Sequence, residues 1–284
     1  FFHGQGHDYS DHFAAGGTVG DLVPYTPKES PEAAETPLQD DTEVPAERPW
    51  EVIEVSAEDV KAIRPEWVWE EMIPTGQLAL HSGEGGVGKS TLSLEKAARL
   101  TRGELPGRFY GTPRNVAISA YEDDLGMQKL RLKVAGADLS KVKFWTLGRR
   151  VDPNDPDSED FEERNVKFPR DLPAFRHAIE RSKPVLWIID PISSVVVGDD
   201  WKEQAVRESL DPLKRMIQGM DFAVIGVKHF KKGQGRAGSL LGGSHAWRDI
   251  ARAHIPMAKD EDADEVIYTL EKGNYSRKVG QSWK

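Results

Sequence analysis

From residue 66 onward, short apolar runs alternate with stretches whose apolar residues recur at helical spacing. A buried strand shows as a run or a two-residue alternation, and an amphipathic helix as a period near 3.6. Strands are therefore predicted over residues 77–81, 115–120, 142–145, 185–189 and 222–227, with a final pair over 253–256 and 266–270. Helices are predicted over 90–100, over the segment carrying Leu125, Leu130, Leu132 and Val134, and over 172–181, 203–220 and 244–252. Strands that alternate with helices predict an α/β fold in which a mostly parallel sheet is flanked by crossover helices. Residues 148–171, rich in Asp, Glu and Pro, are expected to form an exposed insertion.

The pattern is missing from the first part of the chain. Pro24, Pro27, Pro31, Pro37, Pro45 and Pro49 stand among Glu, Asp, Ala and Thr. Such a composition buries too little apolar surface to offset the entropy of ordering, so residues 24–60 read as a flexible acidic linker. Residues 1–23 are expected to be the tail of a preceding domain, and residues 61–284 the folded one. The chain opens on Phe1 with no charged stretch leading into an apolar core, so no signal peptide is read there and a fragment of a longer protein is expected.

Charge refines this division. The net charge is -9, and residues 28–60 alone hold eleven acidic side chains against two basic ones, so the acidity belongs to the linker and the remainder is neutral. Nucleic-acid binding is neither vetoed nor supported by that balance, since no basic run stands out. The absence of cysteine excludes disulfides and thiolate zinc sites. No apolar run approaches the ~18 residues of a membrane span. A soluble, cytoplasmic chain without a membrane partner is expected.

Between the strand predicted over 77–81 and the helix over 90–100 stands Gly83-Glu84-Gly85-Gly86-Val87-Gly88-Lys89-Ser90-Thr91. Glycines let the backbone curl so that successive N–H groups face phosphate oxygens, and the helix N-terminus adds a favourable dipole. This Gly-x4-Gly-Lys-Ser spacing, at a strand-to-helix junction, predicts a nucleotide site for ATP and Mg²⁺. Lys89 is expected at the β- and γ-phosphates and the Ser90 hydroxyl on the metal.

Three further groups are predicted at the same sheet edge. The apolar run from Val185 to Ile189 ends in Asp190, placed to hold the magnesium shell. An ordinary Asp-Pro turn is the plainer reading, because Pro191 follows. The strand over 115–120 leads into Tyr121-Glu122-Asp123-Asp124, where Glu122 could polarise an attacking water while Asp123 or Asp124 caps the next helix. The strand over 222–227 delivers His229, whose imidazole could report the nucleotide state.

The order of these elements, with Gly242-Gly243-Ser244 leading on to Ala251-Arg252, resembles the RepA/RecA-like ATPases of the plasmid RepA type over residues 66–275. That resemblance implies a RecA-like core and a homo-oligomeric ring, commonly a hexamer, with ATP bound between neighbours and an arginine reaching the next subunit's nucleotide. Arg252 matches the family's Ala-Arg position, with Arg248 one helical turn earlier, and Lys272 matches a second trans-acting cation. Pro191 stands where some ATPases carry a catalytic Glu, so the role of base falls on Glu122. Residues 1–27 resemble the tail of a Toprim or primase module of phage and mobile-element proteins.

The function implied is a motor on single-stranded DNA, a replicative or repair helicase. Residues 230–241, with Lys231, Lys232 and Arg236 among glycines, are the candidate DNA loop. A phosphate-sensing loop without a DNA role is the other reading of that segment. A ring ATPase that switches protein partners is the other reading of the whole. A small-molecule kinase would need an arginine-bearing lid, and the acidic segment 148–171 argues against one.

Overall fold

The structure, a computed structural model, describes residues 51–152, 155, 160–229, 245–260 and 263–284. The candidate DNA loop 230–241, the Gly242-Gly243-Ser244 element and the tail and linker up to residue 50 lie outside the described residues. The chain divides into Phe1–Lys61 and Ala62–Lys284. In the first unit the described residues include a 3-10 turn, Ala57–Asp59.

The second unit opens with an antiparallel ribbon of β1 (Trp67–Trp69) and β2 (Ile73–Pro74). Strand β3 (Leu78–Gly83) runs into helix α1 (Lys89–Arg102), and β4 (Val116–Ala120) into α2 (Leu125–Val134). Strand β5 (Val142–Phe144) precedes a second ribbon, β6 (Gly148–Arg150) with β7 (Phe161–Glu163). Helix α3 (Leu172–Ser182), strand β8 (Leu186–Asp190), helix α4 (Glu203–Ile217) and strand β9 (Ala223–His229) follow. Helix α5 (Ala246–Ile250) leads into β10 (Ala253–Asp260), followed by β11 (Glu265–Thr269), β12 (Lys272–Gly273) and β13 (Ser282–Trp283).

Among the described residues the main sheet has nine strands in the order β13-β11-β10-β3-β9-β8-β4-β5, with β12 beside β10. The six from β10 to β5 are mutually parallel, and β11, β12 and β13 pair antiparallel at the far edge. Side chains alternate between the two faces of a strand, so a strand covered on both sides must be apolar throughout. In β8, Trp187 and Ile189 pack under α3, α4 and α5, while Leu186 and Ile188 pack with α1 on the other face. The result is the predicted α/β fold, a mostly parallel sheet between two helical layers.

Two expectations need correction. Helix α2 forms, but Leu125, Leu130 and Val134 are exposed and only Leu132 of that set is buried. The helical period was legible, whereas the face turned inward depends on packing against its neighbours. The segment 148–171 is exposed only in its first part. Val166, Phe168 and Asp171 are buried, with Phe168 set edge-on against Phe175 and Trp187. Burial on its own would raise the Asp171 carboxyl, but Arg164, Arg170 and the Lys167 N–H hold it well below the usual carboxylate range. Lys167 in turn donates to the carbonyls of Ser194 and Val196, just beyond Asp190.

Candidate active site

The loop between β3 and α1 needs glycine at both ends. A Cβ on Gly83 would come within 2.6 Å of the Met257 carbonyl oxygen, and Gly88, at the N-cap of α1, has a φ of 92°. Only glycine meets both demands without strain. The first turn of α1 therefore begins at Lys89 with its N–H groups turned towards the loop. Glu84, Gly85 and Gly86 are exposed, while Val87 tucks its side chain inward.

Lys89 is buried, and its ammonium donates to the Glu84 carbonyl at 2.6 Å and lies 3.3 Å from His229 Nδ1. Burial pushes this ammonium below its ordinary range, against the opposing pull of Asp190 and Glu122. An ammonium only donates, so His229 Nδ1 is the acceptor and the ring proton belongs on Nε2. That Nε2 lies 3.4 Å from Glu122 Oε2. The imidazole thus links the loop lysine to the acid at the end of β4.

Ser90 Oγ donates to Asp190 Oδ2 at 2.5 Å. Burial raises the Asp190 carboxyl, Glu122 adds to that, and Ser90, His229 and Lys89 oppose it. A half-buried carboxylate beside a hydroxyl is a site that a cation would stabilise. Among the described residues no cluster of three or more His, Asp or Glu side chains forms a complete metal cage. Magnesium does not require one, because it keeps waters and takes phosphate oxygens alongside one or two protein ligands. Ser90 and Asp190 therefore fit Mg²⁺ held together with a nucleotide.

The acidic trio after β4 is divided in its roles. Asp124 caps α2, accepting from Gly126 N–H at 2.7 Å, and Asp123 pairs with Arg131 and Gln128. Glu122 alone of the three faces His229. All of these groups lie on the β9-β8-β4 side of the loop. On its β10-β11 side is a cavity of about 420 Å³ lined by residues that include Gly88, Thr91, Met257 and Tyr268.

Arg252 is not brought to this edge. Its N–H bonds the Leu78 carbonyl at the start of β3. The loop leaves the other end of that strand, about 16 Å away at ~3.3 Å per residue. Lys272 sits beside it, its ammonium on the Arg248 carbonyl at 2.7 Å. Burial, followed by Arg248, Arg252 and Lys214, pushes Lys272 down, with Asp249 opposing. The three cations thus share the sheet end opposite their own phosphate loop.

Two polar clusters were not anticipated. Lys228, next to His229, is buried, pairs with Asp200 and lies 4.9 Å over the Trp247 ring, while Trp247 Nε1 donates to the Asp200 carbonyl. A lysine ending an otherwise apolar strand was the available signal. The second cluster joins Ser82, His254 and Glu271, residues distant in sequence with no spacing to connect them.

A glycine loop between strand and helix, with a buried lysine, a hydroxyl on an acidic strand end and a second acid one strand further out, defines a P-loop nucleotide-binding protein. A model of the AAA domain family matches residues 45–235, and the chain belongs to that family of P-loop ATPases found in RecA-like replicative helicases. No curated protein matches the chain. Among the described residues no helix is long and apolar enough to cross a membrane.

Proposed function

We propose that this chain is a magnesium-dependent ATPase that assembles as a ring, hydrolyses ATP between neighbouring copies and uses the cycle to move along or unwind single-stranded DNA. The observation that carries the reading is the Lys89–His229–Glu122 chain set beside the Ser90–Asp190 pair at one sheet edge. Lys89 and the loop N–H groups bind the phosphates, and the cavity beside Tyr268 receives the nucleoside. Ser90 and Asp190 would hold Mg²⁺, which would supply positive charge to offset that of the phosphate oxygens. Glu122 takes the proton of the attacking water. His229, in reach of both Lys89 and Glu122, carries the state of the site towards the segment that follows β9.

Arg252 acts on the site of the next copy, with Arg248 the reserve for that role and Lys272 a second candidate cation. Its place at the opposite sheet end supports a role in trans, since it is too far to reach the phosphates of its own chain.

The test is ATP hydrolysis with and without single-stranded DNA, beside Lys89→Ala and Glu122→Gln. Stimulation by DNA of several-fold is expected, with loss of about 10²-fold or more in turnover for Glu122→Gln and weakened nucleotide binding for Lys89→Ala. Hydrolysis indifferent to DNA would replace the motor by a switch acting on protein partners.

A further inference from the structure

Next to the phosphate loop, on the face of the sheet under α4 and α5, lies a hydrogen-bonded chain of three side chains. Ser82 Oγ is 2.6 Å from His254 Nε2, and His254 Nδ1 is 2.5 Å from Glu271 Oε2. Ser82 and His254 are wholly buried, and the Glu271 side chain is 27% exposed. A carboxylate only accepts, so the His254 proton sits on Nδ1, and in the neutral ring Nε2 accepts from the Ser82 hydroxyl. The same order of groups activates a serine in hydrolases. Here no substrate can reach the hydroxyl, so its bond holds a position.

The position it holds is the root of the loop. Ser82 directly precedes Gly83, whose backbone already lies against Met257 of β10. The partners of β10 on its far side change from β12, opposite Ala253 and His254, to β11, opposite Met257 to Asp260. Pro256, which has no N–H to give, falls in that gap. Backbone pairing is thus interrupted on one flank of β10 just where Ser82 and the loop root lean on it from the other. The histidine spans this stretch by side chain, and Glu271 anchors it twice, through its carboxylate and through its N–H on the His254 carbonyl at 3.0 Å. Glu271 also precedes Lys272, which pairs with His254 in the ladder.

We propose that Glu271, His254 and Ser82 are positioning residues of the phosphate loop, fixing the point at which it leaves β3 and tying that point to the strand that presents Lys272. The proposal rests on the nucleotide-binding reading of the loop, and on neither DNA nor ring assembly. Buried hydrogen bonds lost from one side cost enough to shift affinity by about five- to tenfold.

The experiment is titration of the full chain with a fluorescent ATP analogue and Mg²⁺, for wild type, Ser82→Ala, Glu271→Ala, the double variant and Glu271→Gln. Ser82→Ala removes one buried oxygen and is the substitution least able to unfold the sheet, which a melting curve checks. Each alanine variant is expected to bind about five- to tenfold more weakly. The double variant should be no worse than the more affected single, because either cut breaks the same chain. Glu271→Gln, whose amide oxygen still accepts from Nδ1, should recover most of the loss. Wild-type affinity in both alanine variants, or losses that add in the double, would overturn the proposal. A wild type that binds no nucleotide at all would instead sink the reading of the loop, and this proposal with it.

Discussion

At the scale of single residues, the strand that carries the phosphate loop ends in two polar side chains pointing to opposite faces. Ser82 turns to His254, and His81 turns under α1, its Nδ1 2.8 Å from Ser93 Oγ and its Nε2 without a hydrogen-bond partner among the described residues. Burial, then Lys96, then His254 push the His81 imidazole down to about 3. The unfolded chain binds a proton there below about pH 6.5 while the folded chain stays neutral, so stability falls as the pH falls below that value. Between pH 7 and pH 5 the loss from this group is about 2 kcal/mol. Urea unfolding at the two pH values should show it, and His81→Gln, which can still bond Ser93, should flatten the dependence. Equal slopes in the two proteins would assign the acid sensitivity to another group. Nothing in the sequence pointed to His81, because a histidine in an apolar run reveals its burial only once a helix lies over it.

At the scale of elements, legibility followed locality. Strands β3, β4, β8 and β9 could be read because each carries its own apolar run, and the meeting of Lys89, Asp190, Glu122 and His229 at one edge could be read because a parallel sheet gathers its strand ends there. What depends on packing between distant segments could not. The segment ending in Phe168 is the clearest case, since Glu162, Glu163 and Arg164 mask an aromatic that packs against Trp187 and Phe175. An exposed insertion would tolerate Phe168→Ala. The buried ring predicts a loss of about 3–5 kcal/mol in unfolding free energy. Lys167, through its ammonium, and Phe168, through its N–H on the Val195 carbonyl, tie the same segment to the stretch after Asp190, so the variant should also weaken Mg²⁺-dependent nucleotide binding, measured by titration at fixed ATP. A fully stable variant would return the segment to the surface.

At the scale of the whole molecule, the parallel sheet separates two sets of charges by the length of a strand. Its C-terminal edge carries Lys89, Asp190, Glu122 and His229, and its N-terminal edge carries Arg248, Arg252 and Lys272. Cations that stabilise a phosphoryl-transfer transition state must touch it, and these are too far from their own loop to do so. In the proposed ring a copy stacked edge to edge would bring one set to the other, and that proposal predicts that activity is recoverable by mixing two dead proteins. Lys89→Ala loses its own site but keeps Arg252, and Arg252→Ala keeps its site but loses the cation. In a mixed assembly some interfaces pair an intact site with an intact Arg252, and hydrolysis should rise to about a quarter of wild type for random mixing of a cation worth at least 10³-fold. If the mixture assembles and stays as inactive as its parts, Arg252 does not act across an interface, and Arg248 and Lys272 become the variants for the same mixing.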